Sequence, residues 1–274
     1  RLLLALGLPA DDTVVEDRPY RIYARNLAAG EGFFMPNPYE DEIGPARVYA
    51  FRPPLFPFLW GCVYDFTNGA YAPVRITFAL LSSLTCGLAF LVGREIFPAR
   101  RNVAFLGGLI CAGYPPLIWH SVHLMTEPLF IFFSVALVLT LLRFHRTGTW
   151  RWLVAAGVCA GLGTLSRSIL AAFLPAAAIW VFWIRGRGRK ALGETVLFTL
   201  VTTTTMMPWI ARNVLVLDAF VPTTTDAGHG FYVANNPEAV NDPRGFHIPE
   251  DWSEVVPPGL GEVATHRGLM GEAA

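Results

Sequence analysis

Two carboxylates, Glu16 and Asp17, stand four and three residues ahead of Tyr20, and three further ionisable side chains lie far downstream: Arg52 before Pro53-Pro54, Glu127 in Thr126-Glu127-Pro128, and Arg167 in Leu165-Ser166-Arg167-Ser168. A carboxylate partly withdrawn from water has a raised pKa and can take a proton from a hydroxyl. Arginine offers a planar fork of donors that matches phosphate or carboxylate oxygens. Each residue also has a plainer use. Glu16 and Asp17 would compensate the positive end of a helix starting near Tyr20. Glu127 would be an early helical residue behind a Thr126 cap, and Arg52 a cation snorkelling to an interface. Arg167 has the weakest ordinary reading, because it is a lone charge between two apolar stretches, where ionisable groups are costly and tend to be functional.

The elements that must position these groups are those of a membrane protein. The sequence is 53% hydrophobic and 15% charged, with 21 basic and 21 acidic residues, so no net basic field argues for nucleic acid. Cys62, Cys86, Cys111 and Cys159 all sit in or beside apolar runs and read as small buried hydrophobes. His120 and His123 lack a third metal ligand nearby and read as satisfied interfacial histidines; His229, between glycines, reads as a loop residue. Gly161 and Gly163 follow no strand, which removes a nucleotide fingerprint and leaves close helix packing. Arg1 to Leu8 is too short to span a bilayer and reads as the outer end of a first transmembrane helix or the remnant of a signal peptide, in a piece of a longer protein.

Residues 9–51 are rich in Pro and Gly and hold eight acids, which makes them a large acidic extramembrane loop. Within it Tyr20 to Ala29 predicts a short helix on the membrane surface, with Pro19 near its start and Gly30 as its stop. Leu55 to Phe66 is too short to span and predicts an interfacial aromatic helix. Apolar blocks at 75–97, 103–124, 127–142 and 191–209 predict spans. Basic clusters at Arg94/Arg100/Arg101, Arg143/Arg146/Arg151 and Arg185/Arg187/Arg189/Lys190 are placed in the cytoplasm by the positive-inside rule. The last two flank residues 152–184, so that segment must cross twice or enter and return, reversing near 161–168. Arg167 then meets Glu16/Asp17, Arg52 and Glu127 on the outer face. The expected organisation is a membrane region over 1–209, including the loop 9–51, and the start of an extracytoplasmic domain or loop over 210–274. The fold class is all-α, a polytopic helical membrane protein.

The acidic pair, the Tyr-x-x-x-Ala-Arg-x-Leu helix ending in Gly-x-Gly-Phe, Arg-Pro-Pro-Leu-Phe-Pro, Tyr-Pro-Pro-Leu, Thr-Glu, Leu-Ser-Arg, Pro-Trp-Ile-Ala-Arg-Asn and Gly-x-x-x-Tyr-Val-x-Asn-Asn-Pro occur here in order. This combination resembles the membrane glycosyltransferases of the GT-C fold. The closest groups are family 39-like: protein O-mannosyltransferase, aminoarabinose transferase and lipopolysaccharide-core sugar transferase types. The resemblance implies a polyprenyl-phosphate-linked sugar as donor and a glycan, lipid or protein acceptor. It also implies an active site on the extracytoplasmic face of a bacterial inner membrane. The family's acidic base maps onto Glu16 or Asp17, in an order inverted from the usual Asp-Glu; its corner cation maps onto Arg52 and its second outer carboxylate onto Glu127. Tyr20 and Arg167 complete the substrate-binding candidates. No cofactor is implied, and a divalent metal ion is left open.

A transporter or flippase for a lipid-linked or anionic substrate is the main alternative, since broken helices around a lone arginine would serve it too. It leaves the acidic loop unexplained and calls for an internal symmetry that the hydropathy lacks. A scaffold or a ligase of similar architecture is a third. The topology is directly testable: in a cysteine-free background, single cysteines placed in 9–51 and 210–274 should react with an impermeant reagent applied outside, and those near Arg146 or Arg187 should not. Outside labelling near Arg187 would overturn the shared outer face.

Overall fold

Pro19 in its first turn and a left-handed glycine after its last bound the helix α1 (Arg18–Ala28). Gly30 has φ +73°; its N–H donates to Leu27 O at 3.1 Å, and that of Glu31 to Asn26 O at 2.9 Å, so the final carbonyls are satisfied as the chain turns away. The computed structural model describes residues 1, 5, 7, 18–37, 46–236, 239 and 261–264. Glu16 and Asp17 lie outside the described residues, as do Asp11, Asp12, Glu40, Asp41 and Glu42 of the expected acidic loop and the side chain of His229.

A short antiparallel pair that the sequence pattern did not announce follows α1: β1 (Met35–Pro36) and β2 (Arg47–Val48), with Met35 opposite Val48. One face of α1 is packed on protein: Tyr23 is fully buried against Met35, Val48 and Phe51, and Ala24 against Phe56 and Trp60 of α2 (Leu55–Phe66). Helix α2 is the short aromatic helix expected. Its Phe56 and Trp60 are buried, while Phe58 and Phe66 are exposed.

The long elements come next. They are α3 (Tyr71–Ile96), α4 (Arg101–Gly113), α5 (Pro115–Val122) and α6 (Glu127–Thr147). Among the described residues α3 and α6 are long and apolar enough to cross a membrane; α4 and α5, bent by 50°, make a third span if they act as one. The block expected at 103–124 is thus divided by a bend. The bend falls where Pro115-Pro116 supplies no N–H and forces Tyr114 out of helical geometry.

Parity demanded a reversal in 152–184, and the chain makes one. Helix α7 (Trp150–Ser166) ends at Arg167, a 3-10 turn covers Ser168–Phe173, and α8 (Leu174–Ile184) returns. Arg185, just past α8, is back beside Gly148 before α7: its guanidinium lies 3.3 Å from where a Gly148 Cβ would be. Helix α9 (Arg189–Leu217) then runs 29 residues, through the boundary expected at 209, and α10 (Ala227–Asn235) follows. Helix α9 is not among the helices apolar enough to cross a membrane, which corrects the span expected at 191–209, and several of its hydroxyls are spent within the helix. Thr199, Thr202 and Thr205 each donate to the carbonyl four residues earlier, at 3.0, 2.9 and 2.8 Å.

Both ends of the bundle are stitched by charge. At one end Glu95 of α3 accepts from Arg143 at 3.2 Å and Arg146 at 2.7 Å, and Glu194 of α9 accepts from Arg185 at 2.9 and 3.3 Å. Since α6 runs from Glu127 to Thr147 and α7 from Trp150 to Ser166, Glu127 and Arg167 lie at the opposite end.

Helices α7 and α9 approach closely because two glycines face α9. A Cβ on Gly157 would stand 2.8 Å from Val201, and one on Gly161 2.6 Å from Thr205 and 3.0 Å from the Thr202 carbonyl. Gly163 meets Leu170 of the 3-10 turn in the same way, at 2.5 Å. Gly161→Ala should therefore destabilise the protein by about 1–3 kcal/mol through overpacking. Gly87→Ala, in α3 with nothing within 4 Å, should be near neutral. Thermal unfolding in detergent compares the two; equal shifts would contradict this packing.

Candidate active site

The break after α7 delivers the first functional side chain. Arg167 is extended (φ −148°, ψ 123°), yet its N–H still donates to Gly163 O at 3.0 Å, so leaving the helix strands no backbone donor. Its guanidinium reaches Glu127 Oε1 at 2.5 Å. Glu127 is the first residue of α6, where a carboxylate also suits the helix dipole. The cap expected from Thr126 is absent: its hydroxyl donates instead to Glu127 Oε2 at 3.4 Å, so both oxygens of Glu127 face side-chain donors.

Arg52 arrives from another direction. It follows β2, lies 4.8 Å from the Phe51 ring centroid and 5.9 Å from that of Tyr20, and forms an ion pair with Asp226. Tyr20, in the first turn of α1, packs edge-on against Phe56 with centroids 5.2 Å apart. Burial pushes its phenol above the ordinary value of 10, and the charges it feels are Arg52, Asp226, Arg167 and Glu127. Tyr20 is therefore a neutral hydroxyl at physiological pH, able to donate a hydrogen bond.

These groups share one space. Pro19, Tyr20, Arg52, Met125, Glu127 and Arg167 line a cavity of about 450 Å³. The structure thus brings together Tyr20, Arg52, Glu127 and Arg167 from four separate parts of the chain. His120 and His123 stay apart from it: His120 Nδ1 lies 3.0 Å from Met125 Sδ, and His123 donates to Trp119 O at 2.9 Å while stacking on its ring. Among the described residues no group of three His, Cys, Asp or Glu is placed to hold a metal ion.

Sequence reasoning passed over Asp226, although it is the acid that Arg52 contacts. What places it is a second unforeseen set, Arg212 and Glu262. Arg212 donates to Phe33 O at 2.7 Å and Tyr49 O at 2.8 Å; Glu262 accepts from Tyr49 N, Ala50 N and Thr225 Oγ1 at 2.6, 2.9 and 2.7 Å. Thr225 N–H also donates to Ala50 O at 2.9 Å, so the residues flanking Arg52 and Asp226 are fastened to each other. The available signal was an acid in a polar Thr-rich run directly ahead of a helix.

Residues 51–211, more than half of the chain, match the dolichyl-phosphate-mannose-protein mannosyltransferase family. The chain belongs to this family. It is an integral membrane glycosyltransferase of the mannosyltransferase type, GT-C-like in fold, and the transporter alternative is set aside. The matched range holds Arg52, Glu127 and Arg167, while Tyr20 and Asp226 lie beyond it. No curated protein and no solved structure matches.

The Arg167–Glu127 pair is open to solvent on one side, with 42% and 21% of the two side chains exposed, which limits its worth to stability. A double-mutant cycle of Arg167→Ala and Glu127→Ala on unfolding stability should give a coupling of about 1 kcal/mol or less. A coupling several times larger would mean that the pair is sealed from water and holds the fold.

Proposed function

We propose that this mannosyltransferase-family protein transfers a sugar from a polyprenyl-phosphate donor to an extracytoplasmic lipid, polysaccharide or protein acceptor. The observation that carries the reading is the convergence of two arginine forks, Arg52 and Arg167, on one polar cavity at the end of the bundle away from the basic loops. The positive-inside rule makes that end extracytoplasmic, in keeping with a bacterial inner membrane.

The chemistry needs three services. A carboxylate, Glu16 or Asp17, accepts the proton of the acceptor hydroxyl as its oxygen bonds to the anomeric carbon. The bond from that carbon to the donor phosphate breaks, and its electron pair leaves on the phosphate oxygen. Arg52 and Arg167 hold that phosphate as its charge grows, and Tyr20 donates to the sugar or to the phosphate. A lipid donor also needs apolar accommodation. A groove of about 370 Å³ lined by Phe33, Pro54, Leu55, Phe58, Leu165 and Trp209 begins at the same Arg-Pro-Pro corner and suits an isoprenoid chain.

Full-length protein in detergent, assayed against a panel of polyprenyl-phosphate sugars, tests the reading; failure to transfer from any of them would count against it. With an active donor in hand, the amide of the true base, Glu16→Gln or Asp17→Asn, should reduce turnover by about 10² to 10⁴-fold with donor binding largely kept. Arg52→Ala should weaken donor binding as well as turnover, because a phosphate contact exists before and during the reaction. If Asp11→Asn or Asp12→Asn abolishes transfer while both of the former variants retain it, the base belongs to the earlier pair.

A further inference from the structure

Asp226 raises a question that the transfer reaction does not answer: why a phosphate-binding arginine is already paired with a carboxylate. The aspartate stands at the N-terminal cap of α10 but makes no side-chain cap hydrogen bond, so its carboxylate is not committed to the helix end. It is given to Arg52 instead. Its backbone is firmly held. Thr225 is bonded to Ala50 and Glu262, Thr223 O accepts from Trp209 Nε1 at 2.6 Å, and Tyr232 and Val233 of α10 pack on the Tyr23, Met35, Val48 and Phe51 cluster. Arg52, by contrast, is a long side chain, 30% exposed, lying over the Phe51 ring and lining the cavity. In this pair the anion sits on an anchored backbone, and the cation is the longer side chain that lines the cavity.

Charge balance gives that arrangement a purpose. Among the described residues each of the cavity's two arginines faces a carboxylate, Arg167 with Glu127 and Arg52 with Asp226. A sugar phosphodiester brings one negative charge, whereas the phosphate monoester left after transfer carries about −1.5 to −2 near neutral pH. Two uncontested arginines would hold the spent lipid phosphate more tightly than the incoming donor. A fixed carboxylate beside one of them opposes that.

We propose that Asp226 is a positioning residue that exchanges with phosphate on Arg52: it holds the guanidinium while the cavity is empty, yields it to the donor phosphate, and reclaims it as the polyprenyl phosphate leaves. This rests on the lipid-phosphate donor reading above.

The test is a binding titration of a polyprenyl monophosphate against full-length protein in detergent, with inorganic phosphate run in parallel to separate the head group from the chain. Asp226→Asn keeps the shape but not the charge, and should lower the Kd for the lipid phosphate by about three- to fivefold, the scale of a partly exposed ion pair. Asp226→Glu should stay close to wild type, and the gain should vanish in the Arg52→Gln/Asp226→Asn double variant. Neutralising any nearby carboxylate relieves repulsion of an anion, so the dependence of the gain on Arg52 is what marks the exchange. Equal or weaker binding by Asp226→Asn, or a gain that survives loss of Arg52, overturns the exchange while leaving the donor reading in place. Absence of lipid-phosphate binding by the wild type overturns the donor reading and the exchange with it.

Discussion

In a hydrocarbon surround a backbone N–H or C=O finds no water, and each one left unsatisfied costs several kcal/mol. The architecture follows from that constraint. Over its long apolar runs the chain stays helical, and Thr199, Thr202 and Thr205 of α9 spend their hydroxyls on carbonyls of their own helix. It departs from helix only where something replaces the lost bonds. At Tyr114 the prolines that follow have no N–H to lose. At Arg167 the backbone N–H keeps its bond to Gly163 O while the side chain crosses to Glu127. A cavity bordered by such a break is polar for the same reason that the bundle around it is not.

The same constraint sorts the charges. The basic end carries Glu95 with Arg143 and Arg146, and Glu194 with Arg185; the other end carries Glu127 with Arg167 and Asp226 with Arg52. The pairing chemistry is alike at both ends, and the surroundings differ. Arg143 lies 4.6 Å from the Trp152 ring centroid and Arg185 5.3 Å from that of Phe144, so those cations close helix ends against aromatic rings. Arg52 also lies over an aromatic ring, that of Phe51, but it and Arg167 border an open cavity, with the neutral hydroxyl of Tyr20 among them. The chain belongs to a mannosyltransferase family, and arginine forks have a geometry that matches phosphate or carboxylate oxygens.

The outer segments act as a frame rather than a loose covering. Arg212 reaches from the end of α9 to the carbonyls of Phe33 and Tyr49, and Glu262 gathers the N–H groups of Tyr49 and Ala50 with the hydroxyl of Thr225. Residues more than 170 positions apart, Arg52 and Asp226, face each other because their neighbours are bound to this frame.

Much of this was legible in the sequence, for a physical reason. Hydropathy, proline and the distribution of arginine act locally, and so α2, the spans α3 and α6, the stop at Gly30 and the reversal near Arg167 could be read from a window of residues and a count of crossings. The expectation that Arg52, Glu127 and Arg167 share one face came from the basic clusters together with the parity of crossings. Tertiary structure decided what depends on distant partners. The small β pair draws α1 into the core, Thr126 serves Glu127 rather than the helix end, and Asp226 is assigned to Arg52. No local pattern encodes these, because an ion pair or a buried face is specified by whichever segment the rest of the fold carries to it.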